Sequence, residues 1–284
     1  MQMYKIIDGK VVSAYVKEQV KNEVAELAKN GSVPALAVII VGDDPASKVY
    51  VGNKKKACEM TGMRSVEYAL PAETTEDELL ELIDKLNRDK EINGILCQLP
   101  VPKHINEDKI IDAIAPEKDV DGFSAVNVGK IWLGKYEISP CTPMGVIELL
   151  DYYDIPLEGK NCVIVGRSNI VGKPMAALLL ERNATVTVCH SRTKDLASFT
   201  KNADVIVAAV GRANFITADM VKEGAIVVDV GINRLDNGTL CGDIDFENVK
   251  EKASFITPVP GGCGPMTIAV LMKNTLVAYK NQNK

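Results

Sequence analysis

The chain has 284 residues, of which 46% are hydrophobic and 25% are charged. This is the composition of a globular protein, at a length that suits two ordinary domains. The formal net charge of −5 argues against a partner held through nucleic-acid phosphates. No apolar segment follows a basic start, and the longest apolar runs are too short to cross a bilayer. We therefore expect a cytoplasmic protein with neither a nucleic-acid nor a membrane partner.

Cysteine and histidine usage narrows the possible chemistry. The seven cysteines are an odd number and contain no Cys-x-x-Cys motif, which favours reduced, buried thiols. His104 and His190 are the only histidines, and they are too few for a zinc site or a histidine-based triad. We therefore expect no metal, and lysine, tyrosine, aspartate and glutamine must carry any polar catalysis.

Helices and strands alternate in the first half of the chain, which favours parallel sheets. A helical stripe of apolar residues predicts a helix over 9–30. Asp44 and Pro45 predict the start of a second helix, and a capping box of Thr75 and Glu78 predicts the start of a third. The strands predicted between these helices cover residues 35–41, 65–70 and 94–98.

The second half repeats this alternation after a stretch of weak pattern over residues 121–139. Beyond that stretch we predict a helix over 142–153, a hairpin over 232–244 and a last helix over 266–281. Further strands are predicted from residues 163, 185, 204 and 225.

Together these elements predict two α/β domains with the substrate cleft between them. Residues 1–138 plus 266–284 are expected to form the catalytic, substrate-binding domain. Residues 139–265 are expected to form a Rossmann-like, doubly wound domain.

A glycine turn in the second half carries the strongest functional signal. The apolar run 163–165 ends at Gly166, and Gly172 opens an apolar helix after a short polar loop. Such a helix start has unpaired amides and a positive dipole end, which suit a phosphate. The match to Gly-x-Gly-x-x-Gly is imperfect, because Ser168 and Val171 occupy the second and third glycine positions. The turn therefore indicates a dinucleotide site, with an ordinary strand-to-helix turn as the alternative.

The end of the next strand indicates which dinucleotide binds. The strand over 185–189 is followed by His190-Ser191-Arg192, and not by the acidic residue that would bind the ribose 2′-hydroxyl of NAD. Ser191 and Arg192, with Arg167 in the first loop, would instead suit a 2′-phosphate. We therefore predict NADP before NAD. On the alternative interpretation, Arg192 is a solvated surface cation.

Several polar side chains are expected at the carboxyl ends of the N-terminal strands, where open α/β sheets bind ligands. Tyr50 and Lys54 share one face of the second helix, and Gln98 follows the third strand. A half-exposed helical pair without function would show the same spacing. Asp121 adds a carboxylate, although an Asp-Gly turn would also explain it. The segment 258–265 is so rich in Gly and Pro that it would let a flat ring approach closely, or would serve as an interdomain loop.

Ordered motifs along nearly the whole chain resemble the bifunctional methylenetetrahydrofolate dehydrogenase/cyclohydrolase family. Small departures are Val101 and Cys263, where the family more often has Leu and Val. The motifs are Val41-Gly-Asp-Asp-Pro-Ala-Ser47 with Tyr50 and Lys54, Gln98-Leu-Pro-Val-Pro102, Lys118-Asp-Val-Asp-Gly-Phe123, Pro140-Cys-Thr-Pro143, Gly166-Arg-Ser-Asn-Ile-Val-Gly-Lys-Pro174, Val228-Asp-Val-Gly-Ile-Asn233, Gly242-Asp-Ile-Asp245 and Pro258-Val-Pro-Gly-Gly-Cys-Gly-Pro-Met-Thr267.

The resemblance implies NADP-dependent oxidation of methylenetetrahydrofolate to the methenyl cation, and hydrolysis of that cation to formyltetrahydrofolate. It implies that Lys54 is the main catalytic residue, that Tyr50 and Gln98 orient or polarise, and that Asp121 binds the amino edge of the pterin. It implies cofactor contacts from Gly166, Arg167, Ser168, Ser191 and Ile232. These contacts add to those expected of Gly172 and Arg192. The folate and nicotinamide are then lined by Pro258, Gly261 and Gly262.

Some alternatives stay open at this point. A neutral Lys54 could act as a base if burial or nearby cations lowered its pKa, or a charged Lys54 bonded to Gln98 could polarise the reacting centre. The resemblance also implies a homodimer formed through the cofactor domain, with the hairpin over 232–244 as its candidate arm. The rival functions are a dehydrogenase-only, possibly NAD-linked, member of the family, a non-catalytic NADP-binding regulator and a shikimate-type dehydrogenase.

Overall fold

The computed structural model describes residues 4–284, which divide into two compact units. The small-sheet unit comprises Ala14–Cys141 and Ile268–Lys284, and the large-sheet unit comprises Thr142–Thr267 with the described residues up to Ser13. None of the described helices is long and apolar enough to cross a membrane.

The elements are numbered in chain order. The strands are β1 (Lys5–Ile6), β2 (Ala35–Val41), β3 (Arg64–Leu70), β4 (Gly94–Cys97), β5 (Asn161–Val165), β6 (Thr185–Cys189), β7 (Val205–Ala208), β8 (Ile226–Asp229), β9 (Asn233–Arg234), β10 (Leu240–Cys241) and β11 (Phe255–Ile256). The helices are α1 (Gly9–Ala28), α2 (Pro45–Thr61), α3 (Glu76–Arg88), α4 (Glu107–Ala113), α5 (Ala125–Trp132), α6 (Cys141–Tyr152), α7 (Gly172–Glu181), α8 (Leu196–Thr200), α9 (Phe246–Val249) and α10 (Cys263–Gln282), with a 3-10 turn at Ala218–Met220.

The small-sheet unit contains a parallel sheet with the strand order β3-β2-β4. Its central strand, β2, is apolar and buried along its whole length, as parallel strands covered on both faces usually are. The caps predicted for α2 and α3 are confirmed. The side chain of Asp44 accepts a hydrogen bond from the Ser47 amide, and Thr75 and Glu78 form a reciprocal capping box.

The large-sheet unit contains six parallel strands in the order β1-β11-β8-β7-β5-β6. The chain runs from β5 to the edge strand β6 and then returns to β7 on the other side of β5. This reversal is the topological switch of a doubly wound sheet, and ligands bind outside the carboxyl ends of its strands. The predicted Rossmann-like fold is thereby confirmed.

Some short elements were not predicted. We placed the first residues of the chain in the catalytic domain, whereas β1 pairs with β11 in the large sheet. Two-residue strands have no periodicity of their own, and they form only because a partner strand is aligned with them. The weak stretch 121–139 contains α5, and α10 begins at Cys263, before the predicted residue 266.

Candidate functional site

A buried lysine in the small-sheet unit meets the side chain that follows β4. Lys54 Nζ donates a hydrogen bond to Gln98 Oε1 at 2.9 Å. The side-chain Nε2 of Gln98 in turn donates to the Leu99 carbonyl at 2.7 Å, and this bond directs Gln98 Oε1 towards the lysine. Lys54 is 8% exposed, whereas Tyr50, one turn earlier on α2, is 47% exposed. The structure therefore brings Lys54 and Gln98 together and leaves Tyr50 open to solvent on the same helix.

A strand-like segment beside β4 places Asp121 at the same end of the sheet. Asp119 forms a parallel bridge with Ile95, so that Asp121 lies level with the end of β4. The Asp119 carboxylate accepts amide hydrogen bonds from Gly122 and Ser124, at 3.0 and 2.8 Å. The chain therefore does form a turn at Asp121-Gly122, and this turn also carries the Asp121 carboxylate.

The electrostatics of this end of the sheet couple Asp121 to Lys54. Burial raises the pKa of the Asp121 carboxyl to about 6, against the opposing effect of the Lys54 charge. The Cys141 thiol lies 3.9 Å from Asp121 Oδ1, and burial raises the pKa of that thiol well above its usual value. Cys141 is thus a neutral neighbour, and Lys54, Asp119 and Asp121 are the groups here that can carry charge.

The glycine turn of the large-sheet unit lies at the topological switch. Gly166 follows β5 with φ near +135°, and a Cβ there would lie 2.2 Å from the Ala209 carbonyl oxygen, which follows β7. A Cβ on Gly172 would lie 2.2 Å from the Gly166 carbonyl oxygen. Only glycine fits either position, and this leaves backbone accessible where a dinucleotide phosphate would approach.

The amides at the start of α7 differ from the expectation. We expected unpaired amides there, but Val171 and Gly172 both donate to Ser168 Oγ, at 3.1 and 3.4 Å. The Lys173 amide donates to the Ser168 carbonyl, and Pro174 has no amide hydrogen. The expectation of free first-turn amides was therefore wrong, because a serine side chain within the loop takes them. The helix dipole and the amides earlier in the loop are left for an anion.

Cationic and hydroxyl side chains surround the end of β6. Ser191 and Arg192 are exposed directly after this strand, and Arg167 is exposed after the neighbouring β5. The register pairs Val165 with Cys189, so both loops leave the sheet at one level. No carboxylate follows β6 before residue 195. This set of donors fits a ribose 2′-phosphate, and so fits NADP.

The predicted Gly- and Pro-rich segment lines a cleft in the large-sheet unit. The cleft has a volume of about 180 Å³ and is lined by Pro258, Gly261, Gly262 and Ile232, with Lys10 at its wall. Ile232 is 48% exposed. Four residues predicted to contact cofactor or substrate thus share one depression.

Sequence reasoning overlooked the polar residues that support these sites. Asn274 on α10 is buried, and its side chain donates to the carbonyls of Val120 and Ser139, at 2.9 Å each. Asp229 ends the otherwise apolar β8, and burial raises its pKa to about 7. An ionisable residue at the end of an apolar strand was the available signal for Asp229.

Comparison with known proteins identifies the family. The profile described as "Tetrahydrofolate dehydrogenase/cyclohydrolase, catalytic domain" matches residues 7–121, and the profile of the NAD(P)-binding domain of the same family matches residues 140–283. The chain belongs to the tetrahydrofolate dehydrogenase/cyclohydrolase family.

Individual relatives are similar to this chain over nearly the whole length of both proteins. The bifunctional protein FolD of Campylobacter hominis is 61% identical over 280 residues, which are 99% of each chain. The crystal structure of the bifunctional FolD enzyme of Campylobacter jejuni aligns with a TM-score of 0.96 at 54% identity, over 98% of this chain and 99% of that one. The Trypanosoma brucei enzyme, complexed with NADP and an inhibitor, aligns with a TM-score of 0.95 at 37% identity over both whole chains.

As a member of this family, the protein has two activities. It oxidises methylenetetrahydrofolate to the methenyl form with NADP, and it hydrolyses the methenyl form to formyltetrahydrofolate. The predicted family, both reactions and the cofactor are confirmed. The roles of individual residues stay predictions.

Proposed function

We propose that Lys54, Gln98, Tyr50 and Asp121 carry both reactions. The hydrogen bond from Lys54 Nζ to Gln98 Oε1 supports this assignment most directly. Lys54 Nζ donates to a carbonyl oxygen, and the Lys54 charge lowers the pKa of the nearby Asp121 carboxyl. We therefore favour a charged Lys54 that polarises the reacting centre over a neutral lysine that acts as a base.

The oxidation requires little proton transfer from the protein. A hydride leaves the methylene carbon with the help of the nitrogen lone pairs, and a delocalised cation remains on the folate. NADP supplies the hydride acceptor when it is bound. Asp121 accepts hydrogen bonds from the amino edge of the pterin, and Tyr50 and Lys54 orient the ring that carries the methylene carbon.

The hydrolysis adds one water molecule to that cation. The water oxygen bonds to the cationic carbon and releases one proton to solvent. Its second proton passes to the ring nitrogen, which leaves negative charge on the oxygen, and the bond between that nitrogen and the carbon breaks to give the formyl group. Lys54 has hydrogen-bond donors left after it bonds Gln98, and these orient the water and stabilise the oxygen on which negative charge develops.

The cofactor roles follow the geometry of the large-sheet unit. The phosphates lie against the backbone at Gly166, Ser168 and Gly172, where the glycines permit close approach and the loop amides before α7 and the helix dipole attract an anion. Ser191, Arg192 and Arg167 recognise the 2′-phosphate. The nicotinamide and part of the folate lie against Ile232, Pro258, Gly261 and Gly262.

A pH profile tests the role of Asp121. We expect kcat/KM for methylenetetrahydrofolate to rise as pH increases through about 6, because the carboxyl loses its proton there and the carboxylate is the stronger acceptor for the pterin amino group. The Asp121→Asn variant should lack this inflection and have a kcat/KM lower by roughly 10-fold or more. The initial rate of NADPH formation between pH 5 and 8 measures both.

A matched control is Asp112→Asn, which removes an exposed carboxylate from α4 in the same unit. It should keep the wild-type profile. An inflection near pH 6 that persists in Asp121→Asn would remove Asp121 from the pterin site.

We also propose a cytoplasmic homodimer that pairs through the cofactor domain. The seven cysteines are all free and six are buried, which suits a reducing compartment. The hairpin of β9 and β10 is the proposed arm, since Leu235 beside it is an exposed apolar side chain that lies outside the cofactor cleft.

Light scattering should give a mass about twice the 30.7 kDa of one chain. Leu235→Asp should reduce the mass to that of one chain, because it places an unpaired carboxylate in an apolar interface. Asp236→Asn, in the adjacent turn, is the control and should remain dimeric. A Leu235→Asp variant that is still a dimer would exclude the hairpin as the arm.

A further inference from the structure

A buried carboxylate in the large-sheet unit holds a loop that the reaction scheme leaves unexplained. Asp243 follows β10 and is 0% exposed. Its Oδ2 accepts from the amides of Val210 and Gly211, at 2.6 and 3.0 Å. Its Oδ1 accepts from the Arg212 amide at 2.8 Å and from Asn233 Nδ2 at 2.9 Å. One side chain therefore receives four hydrogen bonds from two separate segments.

A second carboxylate anchors Asp243 to the sheet. Asp229, the last residue of β8, accepts the amide of Asp243 on Oδ1 at 3.0 Å and the amide of Ile244 on Oδ2 at 2.9 Å. The Asp229 amide donates to Thr257 Oγ1 at 2.7 Å. Hydrogen bonds thus attach Asp243 to the end of β8 and attach the loop after β7 to Asp243.

The backbone packs directly against both carboxylates. A Cβ on Gly231 would lie 2.2 Å from Asp243 Cγ, and one on Gly242 would lie 1.8 Å from Asp229 Oδ2. Only glycine therefore fits at these two positions, where the backbone passes directly against the carboxylates. The hydrogen bonds of Asp243 therefore position residues 210–212 and Asn233.

Both of these segments border the proposed NADP surface. Residues 209–212 follow β7 at the topological switch, where the Ala209 carbonyl packs against Gly166. Asn233 is adjacent to Ile232, which lines the cleft with Gly262. Asp243 has no exposed surface and cannot touch the cofactor, so its effect must pass through these loops.

We infer that Asp243 is a positioning residue for NADP, because its carboxylate holds residues 210–212 and Asn233 in the cofactor-binding arrangement. The inference rests on the proposed placement of NADP at the Gly166 turn. It goes beyond that placement by assigning the shape of the site to a residue that no bound ligand would contact.

The test variant is Asp243→Asn, which keeps the side-chain shape. An amide has one acceptor oxygen, and its NH₂ group would face N–H donors of the loop or of Asn233. We expect the Kd for NADP by calorimetry, and the KM for NADP, to rise roughly 10-fold or more. At saturating NADP, kcat should stay near the wild-type value. Hydrolysis of methenyltetrahydrofolate without NADP should stay within about 2-fold, because Lys54, Gln98 and Asp121 belong to the small-sheet unit.

The matched control is Asp245→Asn, which removes the same charge two residues away. The Asp245 carboxylate accepts from Asn248 Nδ2 at 2.7 Å and has no bond to residues 210–212. It should bind NADP like the wild type. Equal losses of both activities, with an unchanged KM for NADP, would indicate a purely structural role for Asp243 and would overturn the inference.

A milder variant covers the case in which Asp243→Asn does not fold. Asn233→Ala removes one of the four donors and should raise the Kd for NADP about 3-fold, with hydrolysis unchanged. A wild-type Kd in a folded Asp243→Asn protein, or in Asn233→Ala if the first variant does not fold, would overturn the inference. If instead Gly166→Ala bound NADP as tightly as the wild type does, that result would count against the proposed placement of NADP.

Discussion

Replacing Lys54 with methionine is expected to lower the rate of methenyltetrahydrofolate hydrolysis by roughly 10³-fold, while NADP still binds. Methionine has a similar length and suits a site where the native side chain is 8% exposed. It has no N–H donor, so Gln98 Oε1 loses its partner and the reacting water loses its donor. The measurement is the decay of methenyl absorbance against a buffer blank, with a calorimetric titration of NADP in parallel.

The neighbouring lysine provides the control for this variant. Lys55 is exposed and lies on another face of α2, so Lys55→Met should hydrolyse the methenyl substrate at the wild-type rate. Because the Lys54 charge lowers the pKa of Asp121, the pH midpoint of folate binding should move above about 6 in Lys54→Met. Normal hydrolysis by Lys54→Met would refute its assigned role.

Replacing Gly166 with alanine is expected to weaken NADP binding by roughly 100-fold, equivalent to about 3 kcal/mol. The added Cβ would lie 2.2 Å from the Ala209 carbonyl, and φ near +135° is a region that side chains rarely adopt. The turn must move to relieve this clash. That movement would also weaken the hydrogen bond from the Gly166 amide to the Cys189 carbonyl, at 2.8 Å. Calorimetry with NADP measures the loss, and methenyl hydrolysis reports whether the small-sheet unit is intact.

A Gly159→Ala variant distinguishes the effect of the steric clash from the effect of backbone strain at a positive φ. Gly159 also has a positive φ, near +70°, but a Cβ there would meet nothing within 4 Å. Gly159→Ala should cost about 1 kcal/mol of stability and leave the affinity for NADP unchanged. Equal NADP affinities for the two alanine variants would show that the close approach at Gly166 does not shape the cofactor site.

Elements with a local cause were predictable from the sequence. The helix starts at Asp44 and Thr75 depend on side chains that bond amides within three residues, so they can be recognised in a short window. The strand β2 is a wholly apolar run because both of its faces are covered.

Elements whose cause is remote were missed. The strands β1 and β11 have two residues each, and they exist because β1 pairs with β11 and β11 pairs with β8. The start of α7 shows the same limit on a smaller scale. The sequence predicts a phosphate-binding helix start there, but the rotamer of Ser168 decides which amides are already bonded.

By itself the sequence determined the family, the two reactions and the preference for NADP, because ordered motifs and the absence of an acid after β6 are properties of residue type. Tertiary structure alone decided which of these residues meet. Lys54 and Gln98 are 44 positions apart, and Asp121 reaches the end of β4 through a bridge between Ile95 and Asp119. Such contacts depend on the register of parallel strands and on the burial of neighbouring groups. No local pattern encodes these two quantities, and they also determine the charge on Asp121 and the anchoring role inferred for Asp243.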